Sequence, residues 1–471
     1  MKNQRIGMDL TTGPILPALL VFVLPIFLSN TIQQLYNAAD LMIIGKFAGS
    51  QGTVGVSTGG EIVSLLTFIS NGFQSAVQVY IAQLAGKKEH EKIRDTIGTA
   101  MTFLLLTSGV FTLLTLVFCR DLLGLLNTPP EAWEQAYGYM VITALGLPFI
   151  FGYNAVCGIL CGMGESKRPL EFITVAAVSN IALDILFVAV LKQGAAGTAW
   201  ATVIAQGFAF LASLLFLYRK REQMGFAPCA RQTFGCGGAS PAGRMQVYFG
   251  IQRQHLKVLL KLGIPLAIQS AFIHVSQIYC AARVNEYGLV LSAVNSVGNR
   301  IVRLANILTI SMNAGTSAMI GQSLGAGKHD RVKRIVYTGL FVGAAIGFVN
   351  TLMAILIPEQ IFAIFSSDPE VIRYGVTYMR ISMITFILSS IHGPFGGVVT
   401  GSGYSRLNFI IGMLDGVILR IGISLFLADI AGMGVYGYFY GNALARLAPL
   451  CIASAYFFSA KWKTRKLLSE R

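Results

Sequence analysis

Twelve apolar stretches separated by short polar breaks run the length of the chain, near residues 14–45, 54–83, 95–118, 136–160, 169–191, 196–218, 257–282, 290–321, 334–357, 372–400, 408–428 and 433–458. Most hold the roughly 20 apolar residues that a helix needs to cross a bilayer core about 30 Å thick. The polar residues inside the stretches are few, and they fall at helical spacing. In the first stretch Asn30, Gln33, Asn37 and Asp40 stand three, four and three residues apart, which puts them on one helical face. The fifth carries Asn180 and Asp184 one turn apart. A carboxylate in hydrocarbon costs about 2.5–3.5 kcal/mol even on the lenient insertion scale, so such residues face a bundle interior or a water-filled cavity. A chain that keeps Asp40 and Asp184 is expected to use them.

The second half repeats the first at an offset of 239 or 240 residues. Pro25 matches Pro265, and Gln83-Leu-Ala-Gly86 with its basic loop through His90 matches Gln322-Ser-Leu-Gly325 through His329. Tyr139-Met140 matches Tyr378-Met379, and the turn Gly162-Met-Gly164-Glu-Ser166 matches Gly401-Ser-Gly403-Tyr-Ser405. Six spans per half is an even number, so both halves enter from the same side and form parallel repeats, an arrangement of alternating-access transporters. The expected fold is an all-α polytopic membrane protein of twelve transmembrane helices in two six-helix repeats. Its parts are an N-lobe (1–218), a Gly-, Arg- and Gln-rich cytoplasmic linker (219–256), and a C-lobe with a cytoplasmic tail (257–471).

Composition agrees. The 471 residues are 54% hydrophobic and 12% charged, with a mean hydropathy of +0.65, against about 25% charged residues in a soluble domain. The net charge of +15 would suit nucleic acid, but its placement argues otherwise. With both termini cytoplasmic, the inner segments hold 26 of the 36 basic residues and the outer loops only Lys46, Arg120, Lys192, Arg283 and Arg373. That is the positive-inside bias of a multi-pass protein of the inner (cytoplasmic) membrane, with lipid as its surroundings and no nucleic-acid partner. The first apolar run is too long for a signal peptide's core and reads as a retained signal-anchor. The seven cysteines make no metal or disulfide framework: Cys157 and Cys161 read as apolar packers, and Cys229 and Cys236 lie in the linker as thiols. No phosphate-binding loop and no nucleophile elbow or H-E-x-x-H is present, so neither ATP hydrolysis nor another enzymatic role is expected, and no cofactor.

The chemistry therefore rests on the intramembrane polar groups. Two carboxylates in the outer half of the membrane, Asp40 and Asp184, suit loading and release of a proton or sodium ion, because burial and a neighbouring like charge both disfavour the bare anion. Asn180, Asn154, Tyr36 and Thr202 supply neutral oxygens for a sodium shell, since hard cations take oxygen ligands. The alternative, that each aspartate only bonds a neighbouring helix, stays open. The seventh span repeats the polar stripe as Ser270, His274 and Gln277, but Cys280 stands where Asp40 would be. Leu419 or Arg420 and Ile423 or Ser424 replace Asn180 and Asp184. His274 reads as a bonded interior histidine before a proton relay. Glu61, Arg300, Arg303, Asp415, Arg420 and Arg446 are expected to pair among themselves. Pro25, Pro148, Pro265 and Pro394 sit inside spans and kink them.

The early proline, the stripe ending in Asn37-Ala-Ala-Asp40 with Gly45 beyond, the paired Gln-x-x-Gly-x-x-x-x-His loops, the paired Gly-x-Gly-x-Ser turns and Asn180-x-x-x-Asp184 together resemble the multidrug and toxic compound extrusion (MATE) family over essentially the whole chain. The resemblance implies two six-helix lobes forming a V, and export of cationic or amphipathic small molecules in exchange for protons or sodium. With the candidate coupling acids in the N-lobe only and none in spans seven and eight, the chain looks closer to the DinF-type bacterial and archaeal branch. Its coupling site corresponds to Asp40, Asn180, Asp184 and Thr202, the only places for a sodium ion. Tyr36, Asn37, Gln33, Asn154, His274 and Gln277 then line the cavity. Nothing in the pattern requires more than a monomer. A lipid-linked oligosaccharide or lipid flippase of the same superfamily is the alternative, supported by Arg300, Arg303, Arg420 and Arg446. An intramembrane enzyme or receptor is disfavoured by the twofold repeat and the lack of a catalytic cluster.

Overall fold

In the computed structural model, which describes residues 7–220 and 250–470, every regular element is helical and no strand occurs among the described residues. The linker cysteines Cys229 and Cys236 lie outside the described residues. Among the described residues eight helices, or nine if one bent pair counts as a single span, are long and apolar enough to cross a membrane. One of them, Ile15–Lys87, has 73 residues. At 1.5 Å per residue it would be about 110 Å long, far more than one crossing. It is interrupted at Gly49, whose φ of 64° and ψ of −157° suit glycine alone. The first two spans are therefore α1 (15–48) and α2 (50–87), joined at that glycine rather than by the loop expected between 45 and 54.

The remaining rods follow in order: α3 (His90–Val117); α4, made of Trp133–Leu145 and Leu147–Gly162 bent by 46°; and α5 (Lys167–Asp184), continued by a π-helical turn, Ile185–Val190. Then come α6 (Gly194–Arg219), α7 (Arg253–Asn285), α8 (Leu289–Gly325), α9 (His329–Leu356) and α10 (Pro369–Gly401). The last two are α11, running from Ser405–Met413 through two π-helical turns to Ile430, and α12, Val435–Leu444 with Leu447–Phe458. The twelve rods correspond to the twelve apolar stretches, and the repeat extends to the backbone. Gly164 and Gly403 take φ of 87° and 68°, and Gly194 and Gly434 take 60° and 57°.

The chain packs as two units. Among the described residues one gathers residues 7–9 and Leu28–Gly263, and the other joins Leu10–Phe27 to residues 264–470. The sequence division at 218 and 257 is thus one of repeats, while packing exchanges the first part of α1 for the first part of α7. The exchange has visible causes in each unit. In the second, the Arg331 guanidinium donates to the carbonyls of Leu10 (3.0 Å), Thr12 (2.8 Å) and Gly13 (2.8 Å), and Lys328 Nζ donates to Thr11 O (2.8 Å). In the first, Tyr80 Oη meets His255 Nδ1 at 2.9 Å, and Gln252 N donates to Thr99 Oγ1 at 3.1 Å.

Within each unit the rods approach through small residues, as transmembrane helices do when no hydrophobic effect drives them together. Gly158 and Gly162, four apart on α4, leave room for the backbone of α2. A Cβ on either would come within 2.6 Å of the carbonyl oxygen of Gln74 or Gln78. The same spacing recurs at Gly397 and Gly401 on α10 against α8. Because the obstacle is backbone, Gly158→Val is expected to cost about 3 kcal/mol or more through overpacking. It should leave little monodisperse protein in fluorescence-detected size-exclusion after extraction, whereas Gly109→Val, with nothing within 4 Å, should extract normally.

Candidate functional site

The first unit carries the site. Asp40 stands on the buried face of α1, 6% exposed, and Asp184 ends α5 with no exposure at all, immediately before the π-helical turn. Such bulges redirect side chains and recur at functional sites. The strongest neighbours of Asp40 are Asp184, Thr202 and Asn180; those of Asp184 are Asp40 and Thr198. The structure thus brings together Asp40, Asn180, Asp184 and Thr202, drawn from α1, α5 and α6. No cation figures among these neighbours.

The hydrogen bonding is incomplete in one direction. Asn180 Nδ2 donates to Thr202 Oγ1 at 3.5 Å, and Thr202 Oγ1 donates to Thr198 O at 3.0 Å. Asp40 Oδ1, Asn180 Oδ1, both Asp184 carboxyl oxygens and Thr198 Oγ1 are buried without a hydrogen bond. Buried polar atoms are nearly always satisfied, so a cluster of orphaned oxygens calls for a ligand. Two carboxylates facing each other without a donor between them repel until a proton or a metal cation is inserted. An all-oxygen set of carboxylate, amide and hydroxyl is also what a hard cation prefers. Among the described residues no group of three or more His, Cys, Asp or Glu is placed to hold a transition metal.

Tyr36, one turn before Asp40, is buried and accepts a hydrogen bond from Gln206 Nε2 at 3.1 Å, with Gln33 and Asp40 also beside it. Gln206 and Tyr139 were missed from the sequence. Tyr139 is near enough to Asp40, Asp184 and Tyr36 to feel their charge, and its signal was the Tyr139–Tyr378 repeat pair. Asn154 spends its amide elsewhere, donating to Ser70 Oγ (3.0 Å) and Asn71 Oδ1 (3.1 Å). Asn37 is exposed. His274 and Gln277 belong to the second unit, where His274 is half-buried and Gln277 exposed.

Of the six further intramembrane charges, three pair in the second unit. Asp415 accepts from Arg420 Nη2 at 2.9 Å and from Arg446 Nη1 at 3.1 Å, and Arg420 Nη1 donates to Asn442 Oδ1. Arg300 and Arg303 are exposed on α8.

The sequence model of the MatE family matches residues 25–186 and again 265–426, two segments offset by 240 residues at both ends. The chain is 28% identical over 471 residues to the probable multidrug resistance protein YpnP of Bacillus subtilis strain 168, covering 98% of this chain and 99% of that protein. It is 25% identical over 451 residues to the probable multidrug resistance protein YoeA of the same organism, covering 95% and 94%. Among solved structures, a MATE protein in the straight conformation superposes with a TM-score of 0.87 at 18% identity, over 98% of this chain and 99% of that one.

Proposed function

Because the chain belongs to the MatE family, we propose that it is a secondary active antiporter of the cell membrane that exports cationic or amphipathic compounds, with protons or sodium ions as the driving species bound at Asp40 and Asp184. The observation that carries this reading is the buried carboxylate pair in which Asp40 Oδ1 and both Asp184 oxygens lack hydrogen bonds, beside the amide of Asn180 and the hydroxyl of Thr202. In the outward-open state the pair loads its ion. Ion binding removes the repulsion between α1 and α5, and in the inward-open state the ion leaves toward the cytoplasm, where both termini lie. Asn180 and Thr202 orient the pair, and Tyr36, held by Gln206, links it to the polar stripe of α1. Relatives whose names record multidrug resistance support a small-molecule substrate. The two buried carboxylates, rather than the charge of the unit as a whole, favour cationic compounds.

The test is ethidium movement in proteoliposomes under an imposed pH gradient, an imposed sodium gradient, or neither. One gradient alone should drive counterflow and the other should not, which identifies the ion. Movement that is equal with and without both gradients would remove the antiport mechanism.

A further inference from the structure

Aligned at the offset of 240, the second unit contains a copy of the first unit's site with its charges exchanged. Cys280 stands for Asp40, Ser424 for Asp184, Arg420 for Asn180, Asn442 for Thr202 and Arg446 for Gln206. The contacts are copied as well as the positions. Asn180 donates to Thr202, and Arg420 donates to Asn442. Asp40 lies against Asp184, and Cys280 Sγ lies 4.0 Å from Ser424 Oγ. The π-helical turn after Asp184 recurs as Phe426–Ile430, and a second one, Leu414–Leu419, occurs here with no counterpart in α5. It carries Asp415 and ends against Arg420.

In this copy both acids have become neutral and two amides have become guanidinium groups. Asp415, standing where the first unit has Val175, balances only one of them. Arg420 is 2% exposed and its Nε has no hydrogen bond, while Arg446 is 28% exposed and gives one bond to Asp415. His392 beside them also leaves Nδ1 without a partner. A buried cation with an unused donor is costly unless a partner completes it, and a guanidinium fork suits carboxylate or phosphate. We propose that Arg420, Asn442 and Arg446 form a binding site for the acidic group, carboxylate or phosphate, of an amphipathic molecule, reached from the exposed side of Arg446. The transport reading supplies the site's purpose, so that one lobe takes the coupling cation and the other an anionic end. The binding itself stands apart from that reading. Two sources share this chemistry: the acid of a transported amphiphile and the phosphate of a resident lipid.

The test uses the purified full chain in dodecyl maltoside, with thermal unfolding followed against octyl phosphate, octanoate and octanol. Octyl phosphate or octanoate should raise the melting temperature by about 3–6 °C near saturation, and octanol should not. Arg446→Gln should lose the shift, Arg446→Lys should keep part of it, and Arg300→Gln should keep all of it. Native mass spectrometry distinguishes the sources. Anionic phospholipid retained by the wild type and lost from Arg446→Gln assigns the site to lipid; a bare wild type that still responds to octyl phosphate assigns it to a transported acid. Should Arg446→Gln not fold, the reduced shift of Arg446→Lys carries the test. Equal shifts for octyl phosphate and octanol, or an undiminished shift in Arg446→Gln or Arg446→Lys, would overturn the proposal. Asp40→Asn should keep the shift even where transport fails, which separates failure of this site from failure of the antiport reading.

Discussion

Asp184→Asn is expected to abolish gradient-driven export while making the protein more resistant to heat. Asp184 is fully buried, and both of its carboxyl oxygens lack a hydrogen bond. An amide keeps the shape but cannot take up and release a proton, and it holds a cation more weakly. Ethidium efflux from pump-deficient bacteria, with expression matched, should fall by about 100-fold, a loss of about 2.7 kcal/mol at 1.36 kcal/mol per decade. The substitution also removes the repulsion with Asp40 and the burial of an unpaired charge, each worth about 1 kcal/mol or more. The melting temperature in detergent should therefore rise, as it does where a strained functional group is relieved. Asp40→Asn should lose transport similarly with a smaller gain in stability, because Asp40 has Asn180 and Thr202 beside it. Export that survives both substitutions would sink the coupling role. Lost export with a lowered melting temperature would mean that the two aspartates serve the fold instead.

Asp415→Ala should act in the opposite direction. This aspartate is as deeply buried as Asp184, but it accepts from Arg420 and Arg446. Removing it leaves the Arg420 guanidinium with Asn442 alone, and breaking a buried pair by deleting one partner typically costs about 3–5 kcal/mol. The expected result is a melting temperature lower by about 10 °C, taking roughly 2–4 °C per kcal/mol for a unit of this size. The double variant Asp415→Ala with Arg420→Met should recover more than half of that loss, since it leaves no buried charge unpaired. A double variant that falls below the single one would show that the arginine contributes packing rather than charge. Two buried acids, one in each repeat, are thus expected to give opposite signs in the same measurement.

Those opposite signs trace to partners that lie far apart in the chain. From the sequence, Asp184 and Asp415 are both single acids in apolar stretches, although Asp415 stands nine residues earlier in its repeat, where the first half has Val175. The pairing of Asp40 with Asp184 was anticipated because both fall in the outer half of the membrane. Tyr139 and Gln206 went unnoticed because a tyrosine or glutamine in a long helix is common, and only packing shows which of them faces the acids. Asn154 is a cavity residue by the family resemblance; its amide nitrogen bonds Ser70 and Asn71 where α4 crosses α2 over Gly158 and Gly162.

The number of rods, their bounds to within a few residues, the twofold repeat and the position of two intramembrane aspartates in the first half were determined by the sequence alone. Apolar length and helical spacing are local properties, and bilayer thickness sets the scale against which they count. The tertiary structure decided the rest. It showed that the loop near 45–54 is a single glycine break, and that the first part of α1 packs with the second repeat, where Arg331 and Lys328 hold the carbonyls of Leu10 to Gly13 just ahead of it. It also showed that the second half carries a charge-exchanged copy of the acidic site. Substitutions at Cys280, Arg420, Ser424, Asn442 and Arg446 are five scattered changes along the chain. They come near one another only when α7, α11 and α12 pack together, because contact between distant residues depends on packing that no local pattern specifies.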